Sequence, residues 1–268
     1  MLLHGLNGHS SHGSNLATAH HLLNNGFHVV ALDMEGHGRS SGLRGFLPSI
    51  EGAVAGDVLA LLLRTRARYP TLPLFLMGNS MGGLSATLVA LAVQDSIGVD
   101  AQFLSGVVLQ CPLIRFSSEP SPLLQTLVRV LAAVMPQLPF LPHRPGSQSV
   151  LQRKVRAAME ADSFTYTGRC RAGTALALHR AAALAAGRLA EVAIPFLVQH
   201  GTADALVAHH GSQALIKQAA AKDKTLISYQ NAGHNLLNEE PETLAQVRLD
   251  YLRWLDERVE ASAMSAAL

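Results

Sequence analysis

Short apolar runs alternate with helical patterns along most of the chain, and this alternation limits the available folds more than any other feature. The apolar runs, each as long as a strand buried on both faces, are 27–33, 72–77, 103–110, 194–199 and 225–229. The helical patterns are 14–25, 50–68, 82–94, 212–221 and 242–258. Because strands that alternate with helices indicate βαβ units, the sequence predicts an α/β fold with a mostly parallel central sheet flanked by helices.

The alternation is interrupted between residues 112 and 189, where the sequence is helical, proline-rich at first and without a clear strand pattern. We interpret 112–189 as a helical cap (lid) inserted between strands of a core formed by 1–111 and 190–268. One apolar stripe in the cap has helical spacing: Leu124, Leu127, Val128, Leu131, Val134 and Met135. This stripe is either packed on the main domain or exposed as a lid that contacts lipid or an acyl chain.

The composition is that of one compact globular unit. The chain has 268 residues, of which 49% are hydrophobic and 15% are charged, and its formal net charge is +2. Lys and Arg are scattered, which argues against a nucleic-acid partner. Cys111 and Cys170 are too few for a disulfide framework and favour a reduced compartment. Without a signal peptide or a good membrane span, we expect a cytoplasmic protein with peripheral membrane contact through the cap.

The amino terminus has the pattern of the end of a buried strand. Residues 1–5 (MLLHG) are apolar up to a glycine-containing loop, with neither a basic leader nor a long apolar one. We therefore expect that N-terminal strands of the sheet are missing from this sequence, and a longer transcript would confirm this expectation.

The strongest chemical signal is the segment GNSMG at residues 78–82, which directly follows an apolar run and directly precedes a helical pattern. A serine on a sharp strand-to-helix turn has strained backbone angles, and the small neighbours Gly78 and Gly82 keep the turn open. The turn lifts Ser80 to the carboxyl end of the sheet, where the N–H groups of the next helix face the reacting carbonyl. A G-x-S-x-G segment in this context is typical of the nucleophile of the α/β-hydrolase fold.

A serine hydroxyl needs a base, and in this fold the partners follow in the order serine, acid, histidine. Among 13 histidines, we predict His234 as the base because it lies in the loop after the last strand, whereas His200 comes too early. Asp204 lies in the loop after the preceding strand and would hold the imidazole in the required tautomer. The alternative role for Asp204 is a helix N-cap. Asp33 and Asp223 are weaker candidates for the acid.

Two backbone N–H groups are needed to stabilise the negative oxygen that develops during attack on a carbonyl. One belongs to Met81, which follows the candidate nucleophile. We assign the other to Leu6, because the loop HGLNG at residues 4–8 follows an early strand and its glycines let it turn.

Together these motifs resemble the monoacylglycerol lipase family, including its plant lysophospholipase-like and caffeoylshikimate-esterase-like members. The matching segments are HGLNGHS from His4, ALDMEGHGRSSGLRGFLPS from Ala31, FLMGNSMGG from Phe75, FTYTGRCRAGTA from Phe164, IPFLVQHGTAD from Ile194 and AGHNLLNE from Ala232. They span nearly the whole chain, and the cap matches least. Asn79 departs from the family, which often has histidine at this position.

The resemblance implies an α/β-hydrolase fold and a triad of Ser80, Asp204 and His234, with Leu6 and Met81 as oxyanion donors. It implies a serine carboxylic-ester hydrolase, either a monoacylglycerol lipase or a lysophospholipase, that forms an acyl-enzyme from a lipid or aromatic ester. We expect neither a metal nor an organic cofactor. The alternatives are an acyltransferase, an aminopeptidase-type serine hydrolase and a non-enzymatic small-molecule receptor on the same fold.

Overall fold

The structure is a computed structural model that describes residues 1–97, 103–142 and 150–266. The strands within these residues are β1 (Leu2–Leu3), β2 (Ala31–Leu32), β3 (Phe75–Asn79), β4 (Gly106–Gln110), β5 (Pro139–Leu141), β6 (Cys170–Arg171), β7 (Phe196–Gly201) and β8 (Lys224–Tyr229). Six of them form one parallel sheet in the order β2-β1-β3-β4-β7-β8. The predicted mostly parallel central sheet is therefore confirmed.

All five predicted apolar runs overlap a strand of this sheet. The largest difference is at 27–33, of which only Ala31–Leu32 pairs as a strand. This strand has a single partner, β1, and lies at the edge of the sheet, where fewer backbone groups are held by a neighbour.

The helices of the described residues are α1 (Gly13–Asn24), α2 (Ile50–Ala53), α3 (Leu59–Arg68), α4 (Met81–Ile97), α5 (Pro122–Val134), α6 (Val150–Ala161), α7 (Ala172–Gly187), α8 (His209–Gln218) and α9 (Pro241–Ala266). The helix predicted at 50–68 is divided by a π-helical turn, Val54–Val58. The helix predicted at 212–221 begins three residues earlier. None of the described helices is both long enough and apolar enough to cross a membrane.

The two faces of the sheet are covered by different helices, because successive side chains of a strand point to opposite faces. In β4, Val107 and Leu109 join the larger apolar cluster together with side chains of α3, α4, α7 and α8. Val108 points the other way, into a second cluster with Leu22 of α1 and Tyr251 of α9. Burial on both faces explains why the central strands are continuous apolar runs.

The predicted cap segment contains a pair of short strands, so the expectation that it has none is wrong. Strands β5 and β6 pair antiparallel between the cap helices. With three and two residues, they are too short for an alternating pattern to be visible in the sequence.

The apolar stripe predicted on the cap is divided between buried and exposed positions. On α5, Val128 is buried and Leu124 and Leu131 are half-buried, in the helix that packs on α7. Leu127 and Val134 are exposed to solvent. Packing on α7, which also belongs to the predicted cap segment, therefore accounts for only half of the stripe, because the apolar residues cover more of the helix surface than one neighbouring helix can bury.

Gly106 allows α9 to approach the sheet, and this contact can be tested. A Cβ atom at Gly106 would lie 2.4 Å from Cη2 of Trp254. We expect Gly106→Ala to lower the free energy of unfolding in urea by about 1–3 kcal/mol, as other overpacked substitutions do. Gly187→Ala in α7 is the matched control, because no atom lies within 4 Å of its added Cβ. A Gly106→Ala variant as stable as the wild type would contradict this packing.

Candidate active site

Ser80 lies on a strained turn between β3 and α4. Its φ of 56° is in the left-handed region, which a non-glycine residue adopts at a cost. The two flanking glycines make the turn feasible. A Cβ on Gly78 would lie 2.2 Å from the carbonyl oxygen of Gly82, and one on Gly82 would lie 2.2 Å from that of Leu3. The helix therefore starts directly against β1, and Ser80 projects beyond the carboxyl edge of the sheet.

The structure brings Ser80, His234 and Asp204 together in one hydrogen-bonded chain. His234 Nε2 lies 2.9 Å from Ser80 Oγ, and His234 Nδ1 lies 2.7 Å from Asp204 Oδ2. The three residues follow β3, β8 and β7, whose carboxyl ends lie at the same edge of the sheet. The arrangement allows His234 to accept the hydroxyl proton while Asp204 fixes the tautomer of the ring.

The side chain of Asp204 is fully buried, and each of its two carboxylate oxygens contacts different partners. Oδ1 accepts the backbone N–H groups of Leu206 (2.8 Å) and Val207 (2.9 Å), which holds the turn before α8. Oδ2 faces His234 and also lies 3.2 Å from His200 Nε2. Burial alone would raise the pKa of Asp204, but hydrogen bonding from His200 and His234 outweighs it and holds the pKa well below its usual range.

The two weaker candidates for the catalytic acid bind other groups. Asp33 accepts the backbone N–H groups of Ser10 and Arg39, and Asp223 pairs with Arg258. His200 touches the acid instead of the nucleophile, a contact that sequence reasoning missed. The one feature of the sequence that could have indicated this contact is that His200, at the end of a strand, precedes Asp204 by four residues.

The loop that carries Leu6 is held against Ser80 by His4. The ring of His4 donates from Nδ1 to the carbonyl of Gly5 (2.8 Å) and accepts at Nε2 from the N–H of Met34 (3.0 Å). Burial lowers the pKa of His4 to about 4, so the ring is neutral and this acceptor role holds at neutral pH. Because a peptide group is planar, fixing the Gly5 carbonyl also fixes the opposite direction of the Leu6 N–H.

Met81 is the first residue of α4, so its N–H is among the groups that lack a partner within the helix. A Cβ on Gly5 would lie 3.4 Å from Cβ of Ser80, which shows how closely the loop with Leu6 approaches the turn. The loop that carries Leu6 and the first residue of α4 thus both lie beside Ser80.

A buried polar network lies beneath the site. Gln110 of β4 donates to the side chain of Gln199 on β7 (2.9 Å), which donates to the hydroxyl of Tyr229 (2.6 Å). The Tyr229 hydroxyl donates to Asp250 on α9 (2.8 Å). The backbone carbonyl of Gln110 accepts the N–H of Ser80 (2.9 Å), so the network is joined to the strained turn. Each member is satisfied, as buried polar groups must be.

The cap is tied to the loops that carry these residues. His9, which follows the Leu6 loop, donates from Nε2 to Asp162 at the end of α6 (2.6 Å). Ser117 at the start of the cap donates its hydroxyl to the carbonyl of Asp204 (3.1 Å). The Thr174 hydroxyl of α7 donates to the backbone of the loop after β2 (3.0 Å). We call these three contacts the cap tethers.

Cys111 is close to the triad but is not poised to react. Ligand atoms of Cys111, Asp204 and His234 lie within 4.8 Å of one another, the one such group of metal-ligating residues found in the described parts of the chain. Burial, together with the charge of Asp204, raises the pKa of the Cys111 thiol well above its usual value. The thiol therefore stays protonated, and a protonated thiol is a weak ligand and nucleophile.

A family model described as serine aminopeptidase, S33 (Hydrolase_4), matches residues 1–241. The chain belongs to this family. It is 31% identical over 269 residues to human monoglyceride lipase, covering 98% of the chain and 84% of the relative. It is 30% identical over 243 residues to caffeoylshikimate esterase from Arabidopsis thaliana, covering 88% and 70%. The crystal structure of Paleococcus ferrophilus monoacylglycerol lipase aligns with a TM-score of 0.81 at 25% identity, covering 96% of this chain and 93% of that one.

Membership of the serine aminopeptidase family confirms the predicted α/β-hydrolase fold and the resemblance to monoacylglycerol lipases. Although the family is described by an aminopeptidase, these relatives are named as lipases and an esterase. The chain is a carboxylic ester hydrolase, as the motifs predict.

The lowered pKa of Asp204 makes a stability prediction with a definite sign. A carboxyl group whose pKa is lower in the folded than in the unfolded state stabilises the folded protein. This contribution is fully present above pH about 4 and is lost as the pH falls towards the pKa of the folded state. We expect Asp204→Asn to lower the free energy of unfolding by about 2 kcal/mol or more at pH 7 and by less at pH 3. The measurement is urea unfolding at both pH values.

Asp95→Asn is the control for this experiment, because it removes an exposed carboxylate whose ion pair with Arg188 lies at the surface. Its effect should be small at both pH values. A difference between wild type and Asp204→Asn that does not change with pH would contradict the assigned environment of Asp204.

Proposed function

We propose that this chain hydrolyses monoacylglycerols through an acyl-enzyme, with Ser80 as nucleophile, His234 as base and Asp204 as acid. The observation that carries the proposal is the hydrogen-bonded chain from Ser80 through His234 to a buried carboxylate, on a strand-to-helix turn with φ of 56°. The proposed reaction uses side-chain and backbone groups of the protein, the ester and water.

In the first step, Ser80 Oγ attacks the ester carbonyl and its proton passes to His234 Nε2. The N–H groups of Leu6 and Met81 stabilise the oxyanion, and each such donor contributes about 10²–10³ in rate. The tetrahedral intermediate collapses, the C–O bond to glycerol breaks, and His234 gives its proton to the leaving oxygen. Water, deprotonated by His234, then attacks the acyl carbonyl, the bond to Ser80 Oγ breaks, and His234 returns the proton to Ser80 as the fatty acid leaves. Asp204 stays ionised and stabilises the imidazolium that forms twice per cycle.

A lipid ester is the substrate class that the cap supports. The cap segment 112–189 contains ten Lys and Arg but only three acidic residues, Glu119, Glu160 and Asp162. Glu119 and Glu160 are exposed, and Asp162 is engaged by His9. This composition offers little to bind a substrate amine, which favours an ester over the amino-terminal peptide that an aminopeptidase requires. Relatives named as monoglyceride lipases support the glycerol ester.

We also propose that the cap contacts a membrane surface. The exposed face of α5 presents Leu123, Leu127, Val130 and Val134 at helical spacing, and Leu123 and Val134 are 80% and 72% exposed. An exposed apolar helix face in a basic segment is typical of a surface that inserts between anionic lipid headgroups. Peripheral association would place the site next to its apolar substrate.

The catalytic assignment is tested with two esters, p-nitrophenyl butyrate and 2-monooleoylglycerol. We expect wild type to hydrolyse both, and Ser80→Ala to lower kcat by about 10⁴-fold or more, because the nucleophile is lost. Thr87→Val in α4 is a matched control, since it removes a buried hydroxyl that binds only the Gly83 carbonyl. Hydrolysis by Ser80→Ala at the wild-type rate would refute the mechanism.

The same assay separates the alternatives. Cleavage of the butyrate ester alone would place the substrate among small or aromatic esters. Preferential transfer of the oleoyl group to an added alcohol would identify an acyltransferase, and cleavage of an aminoacyl-p-nitroanilide would identify an aminopeptidase. Oleoyl-lysophosphatidylcholine as a third substrate tests the lysophospholipase alternative.

Membrane contact is tested by sedimentation with vesicles of phosphatidylcholine and phosphatidylserine. We expect the Leu123→Ser/Val134→Ser variant to bind about tenfold or more weakly, since each exposed apolar side chain contributes roughly 1 kcal/mol or more on burial. Leu63→Ser/Leu249→Ser is the control, because these residues are 53% and 49% exposed but lie on α3 and α9, outside the cap. Equal loss of binding in both variants would show that the contact is not specific to the cap.

A further inference from the structure

His200 is a second histidine on the carboxylate that His234 uses. It lies in β7, four residues before Asp204, and is completely buried. Its Nε2 lies 3.2 Å from Asp204 Oδ2 and 3.3 Å from the carbonyl oxygen of Val207. Its Nδ1 lies 2.7 Å from the hydroxyl of Ser212, which is also completely buried. Every polar atom of the ring therefore has a partner.

These partners assign the position of the proton on the ring. Two oxygens that can only accept, one of Asp204 and one of Val207, lie next to Nε2, so Nε2 carries the proton and donates. Nδ1 then accepts from the Ser212 hydroxyl, which it faces at 2.7 Å. Ser212 thereby selects the tautomer of His200 in the way that a carboxylate selects the tautomer of a catalytic histidine.

We propose that His200 is a positioning residue for the catalytic acid, and that Ser212–His200–Asp204–His234–Ser80 forms one continuous chain of polar contacts. The inference rests on the proposed triad. Oδ2 of Asp204 faces two imidazole nitrogens, Nδ1 of His234 at 2.7 Å and Nε2 of His200 at 3.2 Å, and the N–H of His200 is shared between this oxygen and the Val207 carbonyl. The second donor holds the carboxylate oxygen in place when His234 moves its proton and reduces the negative charge that this oxygen offers to His234.

The surroundings determine the direction of the effect. Asp204 faces His200, His234 and the protonated Cys111, while the other neighbour of His200 is the ring of His209 at 5.3 Å. Asp204 is the anion that faces both rings, and Glu239, which accepts the N–H of Gly233 beside His234 (2.8 Å), is another carboxylate nearby. Without the donor at His200, the Asp204 carboxylate becomes a stronger acceptor for His234 Nδ1–H, and the imidazolium form of His234 becomes more stable. The base is then protonated, and inactive, up to a higher pH.

The test compares His200→Leu, which removes the donor, with His200→Gln, which retains an N–H group near the position of Nε2. The readout is the rate at which a fluorophosphonate probe labels Ser80, measured from pH 4.5 to 9, because this rate depends on the base and not on the identity of the natural ester. The pH profile of kcat/KM for p-nitrophenyl butyrate is recorded in parallel. Thermal melts establish that each variant is folded.

We expect His200→Leu to move the midpoint of the acid limb upward by about 0.5–1 pH unit, which lowers the labelling rate below the midpoint about 3- to 10-fold. His200→Gln should restore most of the wild-type midpoint. Ser212→Ala leaves His200 in place but removes the hydroxyl that fixes its tautomer, and it should move the midpoint upward by a smaller amount. This variant provides the test if His200→Leu does not fold. Leu62→Ala in α3 controls for lost stability, because Leu62 is a fully buried apolar residue and is not a member of the proposed chain of polar contacts.

An unchanged acid limb in folded His200→Leu and Ser212→Ala, with labelling of Ser80 intact, would overturn the inference and leave the proposed function standing. A shift in His200→Gln as large as that in His200→Leu would overturn the role of the donor. Wild-type protein that does not label at Ser80 would overturn the proposed function, and the inference with it.

Discussion

The close approach of backbones at Gly78 and Gly82 is the constraint on which the site depends. Because neither residue has a side chain, the start of α4 touches both the end of β3 and the carbonyl of Leu3 in β1. This contact forces Ser80 into the left-handed region and places it next to the loop that follows β1. One packing contact therefore fixes the candidate nucleophile and its distance to the Leu6 loop together, and strain at Ser80 is balanced by burial around it.

The elements of the fold and the proximity of Ser80, Asp204 and His234 could be predicted because each signal is local. Each of the three residues lies within five positions of the end of an apolar run, and a parallel sheet brings the carboxyl ends of its strands to one edge. His9 and Asp162 are 153 positions apart in the chain, so no local sequence pattern predicts the contact between them. The same holds for His200, whose position along the chain excludes it as the base but does not reveal which atom it touches.

Buried polar side chains hydrogen-bond to one another and also hold backbone groups near the candidate site. His4 holds the carbonyl that orients the Leu6 N–H, and the Gln110–Gln199 pair crosses the sheet beneath the carbonyl that receives Ser80 N–H. Burying such groups costs free energy unless each finds a partner. Because every contact in these two groups has a defined direction, they restrict the orientation of the backbone groups to which they bind.

The cap tethers join the predicted cap segment to the loops around the candidate triad. They join the cap to the Leu6 loop, to the backbone of Asp204 and to the loop after β2. Movement of this segment away from the core as a rigid body would break hydrogen bonds to the loops that carry the candidate site. A kinetic defect caused by a substitution in this segment therefore does not by itself identify a residue that binds substrate. A substitution at Asp162 or Ser117 can lower turnover through the loops alone, with an unaltered substrate-binding surface.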